Sequence, residues 1–305
     1  MLLVGVCPDL GTFGRLLIAD GRFLRIGAGM SRISIDAERL RAARNHDRRC
    51  LLCEHRCGAD RAVGQRGPCK AGCEARVFRH RVEYGEELEL VPSHLFYLSG
   101  CDLRCAFCIA EMNAFDPRRG RELTPAFFAE AVAWGREQGA RNVQWVGGEP
   151  TIHLPRILEA MSGCGELPPV IWKSDFYGTP DAFSLLAGVV DVYVADFKFG
   201  NDACAVRIAG VRNYVDTVTR NLSLVAERQD LIVRHLLLPG HFDCCYRPVV
   251  AWLRRHLRQA KFSIRDGYLP RWRAKHFADL AVPLPATAGE QAADLAADQG
   301  LHVIH

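Results

Sequence analysis

The sequence lacks any run of about eighteen consecutive apolar residues, so we expect no membrane-spanning helix. It also lacks the basic segment that opens a secretory signal, and Asp9 and Gly11 interrupt its apolar start. The chain has little excess of one charge over the other, because its 305 residues include 39 Lys and Arg and 35 Asp and Glu. The resulting net charge of +4 argues against a nucleic-acid partner. These absences favour a cytoplasmic globular protein without a membrane partner.

Cysteine, in contrast, is abundant. The chain has 13 cysteines, most of them between residues 50 and 108. A small secreted domain would use them as disulfides. In a longer chain without a secretory signal they indicate metal ligands or reactive thiols in a reducing compartment.

Strand-like and helix-like segments alternate from residue 94 onward. Helical patterns separate the strands, and the first of these has Thr124 as its N-cap and Pro125 in its first turn. The alternation predicts parallel βαβ units, and six of them, two fewer than a full barrel, predict an α/β fold with a partial (β/α)₆ barrel. Its chemistry should lie at the carboxyl ends of the strands. The predicted strands are 94–98, 142–146, 169–173, 190–196, 231–238 and 261–265.

Three cysteines, Cys101, Cys105 and Cys108, follow the first predicted strand within eight residues. A [4Fe–4S] cluster wants four such ligands, so three would leave one iron free to bind a substrate or cofactor. Catalytic zinc sites keep a coordination position open in the same way. A zinc site completed by a distant residue is the alternative.

The spacing C-x₃-C-x₂-C, with Phe107 before the third cysteine and GGEP at 147–150, resembles the radical S-adenosylmethionine (SAM) superfamily. The resemblance implies a [4Fe–4S] cluster with one open iron that binds SAM. It also implies reductive cleavage of SAM to a 5′-deoxyadenosyl radical, which abstracts a hydrogen atom from the substrate. The residues that it assigns to the methionine part of SAM are Gly147, Gly148, Glu149 and Pro150, and we expect Glu149 to engage the ammonium group.

A closer resemblance is to the pyruvate formate-lyase-activating-enzyme group, and within it to a branch with a cysteine-rich segment before the barrel. The matching segments are 92–108, 147–155, 190–200 and 231–240. The resemblance implies a protein, peptide or small-molecule substrate and an electron donor such as flavodoxin or ferredoxin. Activases of this group abstract hydrogen from a glycine of a partner enzyme. Ferredoxin-like clusters inserted after the cysteine motif occur in some members, but not in this chain.

One departure from the activases concerns the end of strand three. In the activases this strand commonly ends in Thr-Asn-Gly after an acidic residue, and a monovalent cation is bound near SAM at this place. Lys173, Ser174 and Asp175 stand at this place, whereas Asp196 and Lys198 keep the activase pattern Asp-x-Lys after strand four. We hypothesise that the Lys173 ammonium replaces the cation and pairs with Asp196 and the SAM carboxylate, unless another nearby carboxylate takes it. Arg234 should pair either with a SAM or substrate carboxylate or with Asp196.

A second set of cysteines lies upstream, at Cys50, Cys53, Cys57 and Cys69, with Cys73 as a possible replacement for one of them. The segment has little apolar content, so something other than a core of its own must order it, and a metal is the simplest agent. The ligand types leave zinc and a second [4Fe–4S] cluster open, and we favour the cluster. It would relay electrons or dock a substrate.

Two adjacent cysteines, Cys244 and Cys245, follow the fifth predicted strand. A thiol at this end of the barrel could donate a hydrogen atom to a substrate radical, and the alternative is a small, partly buried structural residue.

The predicted organisation is an N-terminal extension (1–49), a metal-binding segment (50–90), the barrel (91–280) and a C-terminal extension (281–305). The predicted function is that of an activating-enzyme-like radical SAM oxidoreductase. The alternative is a non-catalytic zinc or iron–sulfur module that binds RNA or protein through the 50–73 segment.

Overall fold

The computed structural model describes residues 35–227 and 229–304, together with two short antiparallel strands, β1 (Leu16–Leu17) and β2 (Phe23–Leu24). Most of the predicted N-terminal extension therefore lies outside the described residues. No helix among those that are described has the length and apolar character needed to cross a membrane.

A nine-stranded sheet is the centre of the fold. Its order is β11-β10-β9-β8-β7-β6-β4-β3-β5, and all neighbours from β4 to β11 pair in parallel. β3 pairs antiparallel with both β4 and β5. The strands are β3 (Arg76–Glu83), β4 (Ser93–Leu98), β5 (Arg121–Glu122), β6 (Asn142–Gly147), β7 (Val170–Ser174), β8 (Val192–Asp196), β9 (Asp230–Leu236), β10 (Lys261–Arg265) and β11 (His302–Ile304). The six predicted strands are β4 and β6 to β10, which confirms the parallel α/β fold.

Helices follow the strands as the sequence pattern predicts. Thr124 caps α3, because its hydroxyl oxygen accepts a hydrogen bond from the Phe127 amide at 3.1 Å. The helices are α1 (Ala37–Arg48), α2 (Glu111–Ala114), α3 (Pro125–Glu137), α4 (Leu154–Ser162), α5 (Pro180–Leu186), α6 (Asp202–Ala209), α7 (Tyr214–Ala226), α8 (Arg247–His256) and α9 (Ala288–Asp298). The sequence pattern did not predict α6, which follows β8.

The two faces of the sheet have different cores. The outer face packs aromatic side chains against the helices, as where Trp145 of β6 stacks on Phe128 of α3. The inner face forms a separate apolar cluster, whose members include Ile171, Val194 and Ile232 from three neighbouring strands. Side chains alternate between the two faces along each strand, so each strand contributes alternate residues to the outer and to the inner core.

The inner face is filled from the amino-terminal end of the strands. The loop 84–92, which connects β3 to β4, inserts Leu90 into the inner apolar cluster, where it is 3% exposed. Farther along the lumen, the loop presents Glu86 and Glu87 to cationic side chains of the strands. The lumen is therefore closed on this side by the chain itself.

Candidate active site

The three cysteines of the first set lie in the loop that follows β4. The end of α6 holds this loop, because the amides of Arg104 and Ala106 donate hydrogen bonds to the carbonyls of Ala209 and Ile208 at 3.0 and 2.8 Å. Cys101 and Cys105 are 9% and 8% exposed, and Cys108 is half-buried.

Lys198 is the main charge that opposes burial at Cys105. Burial raises the pKa of the Cys105 thiol to about 12, and the Lys198 ammonium acts in the opposite direction. A thiol ligates a metal as its thiolate, so a nearby cation helps to supply the form that a metal requires.

The loop GGEP (147–150) is bonded to the cysteine loop. The Gly148 amide donates to the carbonyl of Leu98 at 2.8 Å, and the Glu149 amide donates to the carbonyl of Gly100 at 2.9 Å. A Cβ on Gly148 would lie 1.8 Å from the Gly100 oxygen, and Gly147 has a φ of +128°. Both positions therefore require glycine, and the two predicted motifs form one unit.

Glu149 joins this unit to the end of β7. Its carboxylate accepts hydrogen bonds from the amides of Thr151 and Asp175, both at 2.9 Å, and from the Ser174 hydroxyl at 2.8 Å. The side chain is fully enclosed, and burial, with Asp175 as the second cause, raises the pKa of Glu149 to about 8. The contacts seen here are those of a positioning residue, and its contact with an ammonium group stays a prediction.

Three carboxyl groups, those of Asp102, Glu149 and Asp175, are buried beside Cys101. The Cys101 sulfur and one carboxylate oxygen each of Asp102 and Asp175 all lie within 4.8 Å of one another. Burial, with Glu149 as the second cause, raises the pKa of Asp102 to about 7. The buried Oδ2 of Asp102 has no hydrogen-bond partner. Such a group is suited to receive a cation or an ammonium group.

A network of ion pairs lies toward the carboxyl ends of β8 and β9. Arg234 donates through Nε to Asp196 at 2.5 Å, and Lys198 also pairs with Asp196. Burial alone would raise the pKa of Asp196, but Arg234 and Lys198 outweigh it and lower that pKa. Of the two roles considered for Arg234, the structure shows the pairing with Asp196.

Lys173 does not pair with Asp196, so the expected pairing is wrong. Its ammonium contacts Glu86 at 2.5 Å and Glu87 at 3.0 Å instead, and its side chain is 4% exposed. The physical reason is the loop 84–92, which brings two carboxylates into the lumen, whereas Asp196 is already neutralised by Arg234 and Lys198. Lys173 therefore belongs to the interior of the barrel.

Phe107 and Pro150 are both buried in the loops of this end of the sheet. The Phe107 ring lies 6.5 Å from that of Phe199, after β8, and 6.1 Å from that of Tyr268, after β10. The loops of three strands thus meet at the third cysteine of the motif.

The upstream cysteines surround one buried arginine. The Arg61 guanidinium lies 3.7 Å from the sulfur of Cys69 and donates to the Ile152 carbonyl at 2.7 Å. Burial is the main reason that the pKa of the Cys50 thiol is raised. The neighbouring Cys57 and Cys69 raise it further, and the Arg61 guanidinium lowers it. Burial also raises the pKa of Cys53, to which Cys69 and Cys50 contribute. The four cysteines predicted to form the second site are therefore electrostatic neighbours.

Cys73 has different surroundings from the other four. Burial is the main reason that its pKa is raised, and the groups that affect it next are Asp47 and Arg156. Arg156 also donates through Nε to the Cys73 carbonyl at 2.9 Å. Of the five upstream cysteines, Cys73 is the one set apart.

The upstream segment lies against the active-site loops. His55 Nε2 is 2.9 Å from the carbonyl oxygen of Asp102, and Arg104 donates to the Pro68 carbonyl at 2.6 Å. Cys53 forms an isolated bridge with Gly178, in the loop after β7. The second predicted site is therefore adjacent to the first.

Cys244 and Cys245 lie in a π-helical turn, Phe242–Tyr246, that precedes α8. Cys244 is exposed and Cys245 is 1% exposed. Their sulfurs neighbour Cys204 and His241, two residues that the sequence analysis did not assign to a site.

Other residues that matter here were also missed from the sequence, and for different reasons. Asp102 stands inside the cysteine loop and was detectable as a polar residue beside a motif, whereas Asp175, at the end of strand three, was given no role. Arg61 carried no signal, because an arginine in a polar segment is ordinarily exposed. Glu86 and Glu87 look like a solvated charge run, and only the path of the loop brings them inside.

The sequence matches the radical SAM superfamily over residues 95–253, just over half of the chain. The uncharacterized protein MJ0674 of Methanocaldococcus jannaschii is 36% identical to it over 270 residues, which are 86% of this chain and 78% of that protein. Streptococcus suis SuiB, solved with the precursor peptide SuiA, has a TM-score of 0.51 at 14% identity; the match covers 67% of this chain but only 46% of SuiB. That likeness is one of fold. By its sequence, the chain belongs to the radical SAM superfamily.

Proposed function

We propose that this protein cleaves SAM reductively at a [4Fe–4S] cluster and abstracts a hydrogen atom from its substrate, as an activating-enzyme-like radical enzyme. Members of the superfamily are enzymes, and membership implies the cluster and SAM. The observation that supports the proposal best is the bonded unit of the cysteine loop and GGEP, at the carboxyl end of the parallel strands.

The residues present fit both groups. Cys101, Cys105 and Cys108 would hold three irons of the cluster. The orphaned oxygen of Asp102, together with Asp175, offers carboxyl oxygens that could accept hydrogen bonds from an ammonium group, whose charge would favour their ionised forms. When bound, the cluster supplies the electron that splits SAM into methionine and a 5′-deoxyadenosyl radical, which takes the substrate hydrogen.

The protein's own residues position and enclose this chemistry. Gly148 and Glu149 lock the GGEP loop onto the cysteine loop by backbone hydrogen bonds. Lys198 favours the thiolate of Cys105. The loop 84–92, which carries Glu86 and Glu87, closes the interior of the barrel. A reactive species formed at the carboxyl end of the strands therefore has no path through the barrel interior.

The test is anaerobic reconstitution with iron and sulfide, reduction, and chromatographic measurement of 5′-deoxyadenosine. The wild-type protein should form it, Cys105→Ala should form none, and Cys164→Ala should match the wild type, because Cys164 lies before β7 at the other end of the sheet. A fully loaded wild-type protein that leaves SAM intact would refute the proposal.

We further propose that Cys50, Cys53, Cys57 and Cys69 hold a second [4Fe–4S] cluster. Among residues 35–227 and 229–304, these four do not form a group whose ligand atoms all lie within 4.8 Å of one another. Four ligands of one zinc ion would have to be that close, because zinc bonds are about 2.0–2.3 Å long. Cluster ligands bind four separate irons and stand farther apart, which supports the cluster over zinc. Its place next to Asp102 suits an electron relay from a flavodoxin or ferredoxin.

Iron counting tests this second site. Replacing Cys50 and Cys53 by alanine should lower the iron content from about eight to about four per chain, the contents of two clusters and one. Cys73→Ala, the matched control, should leave it unchanged. Equal iron in all three proteins would contradict the second cluster.

For the substrate we propose a peptide or protein segment. Ile109 and Met112, one and four residues after Cys108, are 73% and 59% exposed, and Leu269, beside Tyr268, is 51% exposed. Large apolar side chains exposed at the rim of an active site are typical of a surface that contacts another macromolecule.

Deuterium transfer identifies the substrate class directly. The reconstituted enzyme is incubated with SAM and a deuterated cell lysate that has been separated by size, and deuterium in 5′-deoxyadenosine is measured by mass spectrometry. The macromolecular fraction should supply the deuterium. Transfer from the small-molecule fraction alone would reject a peptide or protein substrate while leaving the radical reaction intact.

A further inference from the structure

Four potential metal ligands meet at a place that the radical reaction does not use. Cys204 stands in the first turn of α6, after β8, and His241, Cys244 and Cys245 follow β9. One ligand atom from each, three sulfurs and an imidazole nitrogen, lie within 4.8 Å of one another. The sequence gives no motif for this set, because two different loops supply it.

The distances are those of ligands around one ion. The Cys204 and Cys244 sulfurs are 3.8 Å apart, and those of Cys244 and Cys245 are 4.0 Å apart. Nδ1 of His241 lies 3.4, 3.2 and 3.6 Å from the sulfurs of Cys204, Cys244 and Cys245. A tetrahedral zinc with Zn–S bonds of about 2.3 Å separates its sulfurs by about 3.8 Å. An iron–sulfur cluster, which takes one cysteine per iron, needs a wider set.

We propose that Cys204, His241, Cys244 and Cys245 form a closed tetrahedral site for one zinc ion. Four protein ligands fill the coordination sphere, which is the arrangement of a structural rather than a catalytic zinc. Three sulfurs and one imidazole are a donor set that tetrahedral zinc accepts.

The second layer of contacts suits a metal. His241 Nε2 is 2.9 Å from Asp279 Oδ2, and a metal-bound histidine ordinarily donates its other ring N–H to such a carboxylate. The Asn201 side-chain amide donates one hydrogen to the Cys244 carbonyl at 2.6 Å, and its other hydrogen can be donated to the Cys204 sulfur at 3.2 Å. Cys204, His241 and Cys245 are all less than a tenth exposed.

The hydrogen bonds of His241 also indicate a two-state ring. Nε2 lies 2.9 Å from Arg207 Nη2 as well, and it can accept from Arg207 or donate to Asp279, but not both. Zinc on Nδ1 requires the proton on Nε2, and therefore selects Asp279 as its acceptor. Binding displaces the thiol protons of three cysteines, so the zinc site carries one net negative charge that Arg207 partly offsets.

The site would brace the active-site loop. α6 carries Cys204 at its start, and the carbonyls of Ile208 and Ala209 at its end hold the amides of Ala106 and Arg104. Zinc would fix the start of this helix to the loop after β9, and the end of the helix holds the loop that carries Cys101, Cys105 and Cys108. A zinc-bound thiolate has no hydrogen to give, so zinc binding would exclude Cys244 and Cys245 as hydrogen donors.

The test is zinc analysis of anaerobically purified full-length protein and of metal-free protein refilled with Co²⁺. The wild type should contain about one zinc per chain, and Co²⁺ should give the visible d–d bands of a tetrahedral ion with thiolate ligands. Cys204→Ser and Cys244→Ser should each lose this zinc, and Cys164→Ser should keep it. Wild-type protein without zinc that gives no such bands with Co²⁺, or unchanged zinc in both cysteine variants, would overturn the proposal.

A milder variant covers the case in which the cysteine variants do not fold. Asp279→Asn should weaken Co²⁺ affinity by about 10–100-fold while the protein stays folded, because the aspartate only orients His241. Asp298→Asn, an exposed aspartate at the end of α9, is the control and should bind Co²⁺ as the wild type does. Equal affinity in both variants would contradict the role assigned to His241.

Discussion

The cysteine set after β4 and the cluster of Cys204, His241, Cys244 and Cys245 lie at the same end of the sheet but are built differently. The first is contiguous in sequence, opens toward buried carboxyl groups, and has only three ligands. The second is assembled from two loops, is compact, and has four ligands. One short helix, α6, can therefore support an open site at one of its ends and a closed site at the other.

The largest expected effect is a double dissociation between the two sets. Cys105→Ala should remove about four irons and all SAM cleavage and leave the zinc in place. Cys204→Ser should remove the zinc and leave the iron of the first set, because iron and zinc have no ligand in common. Metal analysis of both variants checks this. Parallel loss of both metals from either variant would show that the sets are not separate sites.

A buried ion-pair network in the lumen and an ion pair near the surface, beside the proposed zinc site, should differ in their contribution to stability. The buried Lys173 ammonium contacts Glu86 and Glu87. Lys173→Met should lower the free energy of unfolding by about 1–3 kcal/mol, because the buried Glu87 carboxylate loses its nearest cation and keeps Arg234 at 3.4 Å. Arg207 pairs with Asp279 near the surface, and Arg207→Met should cost about 0–1 kcal/mol.

Urea unfolding measures both changes. The double variant Lys173→Met with Glu87→Gln serves as the control for an unpaired charge, and it should recover part of the loss. Equal destabilisation by Lys173→Met and Arg207→Met would remove the distinction between an interior network and a surface pair.

One glycine beside each set allows the loops to be disturbed separately. A Cβ on Gly148 would lie 1.8 Å from the Gly100 oxygen, and one on Gly200 would lie 2.3 Å from the Cys245 oxygen. Each alanine substitution should therefore cost about 1–3 kcal/mol through overpacking. Gly148→Ala should reduce SAM cleavage, and Gly200→Ala should reduce zinc binding.

Gly165→Ala is the control for both, because a Cβ there meets no atom within 4 Å. Unfolding curves and the two functional assays are compared across the three variants. A Gly148→Ala protein with full SAM cleavage would mean that the close contact of the two loops is not needed.

The smallest effect concerns pH and is confined to the lumen. Lys173 and Arg234 outweigh burial and lower the pKa of Glu86 to about 2, from an ordinary value of 4.5. Its ionised form therefore stabilises the fold above pH 4.5, and this contribution is lost as pH falls toward 2. The stability difference between wild type and Glu86→Gln should shrink over that range, and the corresponding difference for Glu166→Gln, which pairs at the surface with Arg136, should change less. A pH-independent difference for Glu86 would contradict its assigned pairing.

Much of the fold could be predicted from the sequence, because the periodicity of apolar residues marks each βα unit. The loop after each strand then has to lie at the carboxyl end of the parallel sheet. β3 escaped prediction because its residues, RVFRHRVE, are largely charged and half-buried, so they resemble a polar segment. α6 was missed because eight residues between two loops give a weak periodic signal.

The sites divide in the same way. A ligand set within eight residues, such as that of Cys101 to Cys108, is visible in the sequence itself. The pairing of Lys173 with Glu86 depends on a loop that enters the lumen, and the meeting of Cys204 with Cys244 depends on the conformations of two loops. Neither is encoded in spacing, although the adjacency of β8 and β9 in the sheet makes the second meeting possible.

The loop 84–92 has a kinetic consequence. A lumen closed at one end by Glu87 and Leu90, which are 1% and 3% exposed, admits its ligands from the other end only. A cosubstrate that sits deeper must then enter first and leave last. Two ligands that share this one entrance should therefore bind in a compulsory order, and an excess of the later one should slow turnover by blocking the entrance.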